Sequence, residues 1–158
     1  MGAASREVVA CPPGAGFDAF DWRISMAEVA ASGPFSVFPG VDRWLAVIEG
    51  RIRLDIEGLG SVTLGPGDHL AFPGDAPTHG EVLKGPVLDL NVMSRRGRVR
   101  ATVERIDSGR LGGAEQVAVA LGPATVGGVA LATHDALRLG PDAAAAAAVG
   151  PLYVATFS

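Results

Sequence analysis

Apolar and polar residues alternate every second position through much of this chain. Trp22, Ile24 and Met26 interleave with Arg23, Ser25 and Ala27, and Ile52, Leu54 and Ile56 interleave with Arg53, Asp55 and Glu57. That period of two belongs to strands with one buried face. Leu88, Leu90 and Val92 alternate with Asp89, Asn91 and Met93 in the same way. The pattern predicts strands at Arg6 to Cys11 and Trp22 to Val29, a short apolar run from Phe35 to Phe38, and a buried strand from Arg43 to Glu49 entering a turn at Gly50. Gly65-Pro66-Gly67-Asp68 then turns the chain into His69 to Phe72, because Gly tolerates positive φ and Asp caps its own turn. Pro73-Gly74-Asp75 is expected to close a hairpin whose returning strand points His79 inward.

Val99 to Arg105, Gln116 to Leu121, Val129 to Leu139 and Leu152 to Phe157 continue the strand pattern between Gly-rich turns. Leu64-Gly65-Pro66-Gly67-Asp68 is echoed by Leu121-Gly122-Pro123 and by Leu139-Gly140-Pro141-Asp142. The echoes and the regular strand spacing predict an all-β chain of two related barrel halves. Residues 1–95 carry the polar markings, whereas residues 96–158 have lost most of them and read as structural or as a dimerisation partner. Six consecutive Ala within Asp142 to Val149 read as one helical turn or a strand edge, without chemistry.

Composition narrows the function classes. At 158 residues the chain can bury roughly 70% of its extended surface, so no metal is required to hold it together. A net charge of -4 opposes a nucleic-acid surface, and Arg95-Arg96-Gly97-Arg98 with Arg100 reads as a solvated connector. The single Cys11 excludes an internal disulfide. No apolar run approaches the ~18 residues of a membrane helix and no signal-peptide pattern opens the chain, so a cytoplasmic protein is expected.

The turn-rich frame from Gly67 to His79 resembles a cupin barrel, but a catalytic cupin commonly gathers three His and a carboxylate around a metal. The preceding stretch PFSVFPGVDRWLAVIEG holds no His, and the chain has only His69, His79 and His134. Neither a metal nor a cofactor is expected. His79 is the best placed imidazole, either a ligand contact or proton carrier, or a satisfied interior histidine. Arg43 opens a buried strand and requires an acidic partner, Asp42 or Asp89, or an anionic ligand. Asp89 and Asn91 share one strand face, as do Arg23 and Ser25. Together Arg23, Ser25, Arg43, His79, Asp89 and Asn91 predict a small pocket suited to a carboxylate or amide. No Ser has a base in local register.

The segments FDWRISMAEVAASGPFSVFPGVDR, WLAVIEG, FPGDAPTH and VLDLNVMSRR, spanning about residues 2–96, resemble the HutD/Ves family. The resemblance implies a double cupin of two RmlC-like jelly-roll halves, without established enzymatic activity. It also implies a metal-free regulatory role in histidine utilisation, through binding of N-formyl-L-glutamate or a similar small carboxylate. The family's recurring residues fall at Trp22, Arg23, Ser25, Phe35, Ser36, Arg43, Gly74, Asp75, Asp89 and Asn91. The chain departs from the family where a Pro-Trp-Lys-Asn-Gly-Gly segment is expected before a Thr-Arg-Glu. That departure implies a late start or a first barrel lacking its N-terminal edge strand, and a sheet edge that a homodimer could cover. The rival reading is a cupin enzyme using His79 with a divalent metal or as a general base.

Overall fold

The computed structural model describes residues 3–158, with side chains from Ser5 onward, and the chain divides into two compact units that meet in sequence between Val99 and Arg100. The first unit holds β1 (Ala3–Cys11), β2 (Trp22–Val29), β3 (Gly33–Pro34), β4 (Val41–Ile56), β5 (Gly60–Leu64), β6 (His69–Pro73) and β7 (Thr78–Arg95). These strands form one antiparallel sheet in the order β1-β2-β7-β4-β5, with β3 added to β7 and β6 added to β4.

The two long strands determine this architecture. β4 runs without the turn expected at Gly50, and the break there is a set of register shifts between Val47 and Ile52 against β7. The inward-facing set changes parity across it. Leu45 and Val47 pack into the core before the shift, and Ile52, Leu54 and Ile56 do so after it. β7 switches likewise, from Thr78 and Gly80 to Val87, Asp89 and Asn91. Gly50 lies where the two backbones converge, at φ 83°, and a Cβ there would stand 2.6 Å from the Lys84 carbonyl oxygen and 2.8 Å from that of Pro86. Only glycine meets both demands.

Two further expectations are corrected. Pro73-Gly74-Asp75 does reverse the chain, but β6 and β7 do not pair with each other; each pairs with β4. The short apolar run Phe35 to Phe38 is an irregular segment, anchored where Phe38 N–H donates to Gly74 O at 2.8 Å. β1, the strand expected from Arg6 to Cys11, pairs along β2 from Ala3 to Cys11. The alternation in Trp22–Val29 gives two buried faces: Trp22, Ile24 and Met26 on one, Arg23 and Ser25 on the other.

The second unit holds β8 (Ala101–Leu111), β9 (Glu115–Ala120), β10 (Ala124–Val126), β11 (Val129–Leu131), β12 (Ala136–Leu139) and β13 (Ala146–Phe157). The sheet runs β11-β10-β13-β9-β12, with β8 paired to β13, over a core built on Leu111, Ala118, Val126, Leu152 and Val154. The single strand expected from Val129 to Leu139 is interrupted at His134, which adopts φ 70° in a turn where the Asp135 carboxylate accepts the Ala132 N–H. The Ala run ends as the start of β13, not as a helical turn.

Candidate functional site

Three adjacent strands of the first unit set the site by register alone. Directly paired residues of an antiparallel sheet project to the same face. Arg23, Met93 and Arg43 form one row across β2, β7 and β4; Ser25, Asn91 and Leu45 form the next; Ala27, Asp89 and Val47 form the third. β1 extends two of these rows with Glu7 beside Ser25 and Ser5 beside Ala27. Phe35, Ser36 and Phe38 close over this face and, with Phe17, enclose a cavity of about 120 Å³. Phe17, Ser36 and Ser5 are exposed, so the cavity reaches the surface past them.

Arg43 is the centre of the cavity. It is buried, with its guanidinium 5.2 to 5.6 Å from the ring centroids of Phe35, Phe38 and Phe72. Its Nη2 donates to Asn91 Oδ1 at 2.8 Å and its Nη1 to the Ser36 carbonyl at 3.3 Å. Asn91 Nδ2 in turn donates to Asp89 Oδ1 at 2.7 Å. The amide therefore links guanidinium to carboxylate, which resolves the partner question for Arg43 in favour of Asp89. Asp42 is exposed and binds Arg96 instead. One donor is left over. Arg43 Nε is buried without a hydrogen-bond partner among the described residues, and such a group carries a desolvation cost of about 1–3 kcal/mol.

Burial governs both charges. Desolvation raises the Asp89 carboxyl from 3.8 to about 7, against the opposing pull of Arg43, Asn91 and the Ala27 backbone. Desolvation likewise lowers Arg43 to about 10, with Asp89 opposing, so the guanidinium remains cationic at neutral pH. Arg23 stands at the cavity's outer side, its Nε donating to Glu7 Oε1 at 3.2 Å and its guanidinium 5.0 Å from the Phe17 ring.

Five of the six residues singled out from sequence, Arg23, Ser25, Arg43, Asp89 and Asn91, line this one cavity. His79 does not. It is exposed, beside Asp55, Glu57 and Ser61 in an open groove near the far end of β4, because the inward positions of β7 at that level are Thr78 and Gly80. His69 is exposed and stacks on Trp44 at 5.3 Å, while His134 belongs to the second unit. Among the described residues no three His, Cys, Asp or Glu side chains gather as a metal site.

Phe17, Phe38, Glu7, Ala27 and Met93 are lining or adjoining residues that sequence reasoning missed. Ala27 and Met93 continue the parity of Arg23-Ser25 and Asp89-Asn91, a signal present in the alternation. Phe17 and Phe38 lie in irregular segments with no period to follow. Gly74 and Asp75 act at one remove: the Asp75 carboxylate accepts from Gly40 N–H at 2.9 Å and Arg96 Nη2 at 2.8 Å. The Arg96 hydrogen bond, followed by that of Gly40, holds Asp75 down at about 2. Gly74 meets the Phe38 and Val41 carbonyls so closely that a Cβ would stand 2.9 and 2.8 Å from them. Both residues brace the segment that carries Phe38.

Comparison with known proteins agrees with this architecture. The HutD family model matches residues 2–152. A Pseudomonas putida relative, an uncharacterized 21.2 kDa protein in the hutC 3' region, is 31% identical over 141 residues, covering 88% of this chain and 74% of that protein. Protein Ves of Citrobacter koseri is 37% identical over 109 residues, covering 67% of this chain and 56% of its own length, so the chain spans little more than half of that relative. The structure of HutD from Pseudomonas fluorescens SBW25 superposes with a TM-score of 0.90 at 27% identity, over 99% of this chain and 89% of that one. A cupin 2 conserved barrel domain protein from Leptotrichia buccalis, at 12% identity and a TM-score of 0.61 over 98% of this chain and 88% of its own, shows that the fold is a cupin. Among the described residues no helix is long and apolar enough to cross a membrane.

Proposed function

The chain belongs to the HutD family, and from that premise we propose that its first unit is a metal-free receptor for a small carboxylate, serving regulation of histidine utilisation with N-formyl-L-glutamate as the first candidate ligand. The observation that carries this reading is the free Nε–H of Arg43, a cationic donor buried beside an enclosed space. A carboxylate oxygen would satisfy it with a charge-assisted hydrogen bond, the stronger class. The apolar rings around Arg43 leave little water to compete.

Size supports an anchored fit. An engineered apolar cavity of about 150 Å³ holds benzene, so a space of about 120 Å³ takes the carboxylate end of a ligand while the remainder extends past Phe17 and Ser36 toward solvent. A small acid is thereby recognised without a nucleophile, a base pair or a metal taking part. His79, outside the cavity, has no role in this recognition.

Thermal unfolding with increasing N-formyl-L-glutamate tests the proposal. Binding to the folded state alone stabilises by about 2.7 kcal/mol at a hundredfold excess over Kd, so the melting temperature should rise by several degrees. Arg43→Gln should abolish the rise. A flat response of the wild-type protein across millimolar N-formyl-L-glutamate would remove this acid as the ligand. A flat response to formate, acetate and succinate as well would remove the carboxylate receptor altogether.

A further inference from the structure

The charges facing Asp89 can be enumerated element by element. β4 contributes Arg43 and β2 contributes Arg23, β1 contributes Glu7, β7 contributes only Asp89 itself, and the Phe35 to Phe38 segment contributes none. Arg23 is paired with Glu7, and Arg43 is joined to Asp89 through Asn91. With no ligand bound and the pH above about 7, two cations meet two anions and the cavity is balanced. A carboxylate entering at Arg43 Nε breaks that balance, because two carboxylates then share one guanidinium at a site where Asp89 is 1% exposed and cannot turn to water. Like charges sharing a buried site force one of them to hold a proton.

We propose, resting on the receptor reading above, that the cavity binds its anion together with one proton, which passes from solvent to Asp89. The ligand is then received as an acid equivalent: the anion goes to Arg43, the proton to Asp89, and the cavity remains neutral. Asn91 makes this workable, since its Oδ1 stays on Arg43 and its Nδ2 can still donate to Asp89 Oδ1 when the carboxyl holds a proton. The desolvation that already raises Asp89 to about 7 without a ligand acts in the same direction. The coupling gives recognition a dependence on pH that the ligand lacks, because ordinary carboxylic acids with pKa values near 3.5 to 4.5 are fully ionised at neutrality.

Titration calorimetry of the full chain with N-formyl-L-glutamate, repeated in phosphate, imidazole and Tris buffers of different ionisation enthalpy, counts the protons. Uptake approaching one proton per ligand is expected above about pH 7.5, with affinity level below pH 7 and falling about tenfold per pH unit above it. Asp89→Asn, which keeps an acceptor for Asn91, should bind with affinity constant from pH 6.5 to 9 and without proton uptake. Binding by the wild type without uptake, or uptake that persists in Asp89→Asn, overturns the coupling and leaves the receptor intact. The wild-type proton count decides the matter even if the variant does not fold. No binding of N-formyl-L-glutamate at any pH overturns both the coupling and that assignment of the ligand.

Discussion

Arg43, Asn91 and Asp89 together show how much a few side chains ask of a fold this small. Each is at most 7% exposed, and a buried ion pair contributes little unless its remaining polar atoms are satisfied. Here they are not all satisfied, since Arg43 Nε has no hydrogen-bond partner among the described residues. Asp89 carries a measurable consequence for stability. Its carboxyl stands near 3.8 when unfolded and is raised to about 7 when folded. Between these values the folded chain keeps a proton that the unfolded chain releases, so this group's contribution is complete below about pH 4, falls as the pH rises and is lost above about pH 7. Each unit corresponds to about 1.4 kcal/mol. Asp89→Asn should therefore raise the melting temperature more at pH 8 than at pH 5, by several degrees, and an equal change at both would show that the carboxyl is not raised. Five of the six residues expected to make this cavity line it, and they were legible because polar groups stood at alternate positions of apolar strands. His79 misled because period two says which residues share a face, and the face that points inward depends on a parity that changes along the strand.

At the scale of elements, the strand pattern was recovered where alternation is strict and failed where backbones cross. Trp22–Val29 appears with the bounds its pattern predicts. The stretch around Gly50 looked like a turn since a glycine ends an apolar run, and local sequence does not distinguish a turn from a bulge whose partners, Lys84 and Leu88, lie far along the chain. Gly50→Ala tests the difference. The methyl group would meet two backbone carbonyls at 2.6 and 2.8 Å in addition to the positive φ, and a loss above about 3 kcal/mol in urea unfolding is expected. Gly67→Ala supplies the comparison, with φ 87° and nothing within 4 Å, and should cost only about 1–2 kcal/mol. Equal losses would mean that the crossing at Gly50 is looser than described. The irregular Phe35 to Phe38 segment was unreadable for another reason: its place depends on Gly74 and on Asp75, which Arg96 and Gly40 hold from across the sheet.

For the whole molecule, repeated turn chemistry reads as two halves dividing between residues 95 and 96, and the chain divides into two compact units between Val99 and Arg100; polar residues marked in the first unit line its cavity. His79, expected to point inward, stands exposed in a separate groove. Dialysis against a chelator should leave both the melting temperature and the response to N-formyl-L-glutamate unchanged, and His79→Ala should do the same; a loss in either case would return catalysis through that histidine to consideration. The change of parity in β4 and β7 has its own consequence for how this chain can vary in length. At its present length β4 cannot alternate uniformly, because Arg43, Leu45 and Val47 are odd-numbered inward positions whereas Ile52, Leu54 and Ile56 are even-numbered ones; straightening the shifts without removing a residue is incompatible with the cavity. Either Arg43 would turn outward, or Ile52, Leu54 and Ile56 would. A single deletion between Val47 and Ile52 would leave both sets on one face, whereas a deletion between Arg43 and Val47 or between Ile52 and Ile56 would divide a set between the two faces, so tolerance to single-residue deletion should be lower on either side of the shifts than at the exposed Glu49 and Arg51 within them.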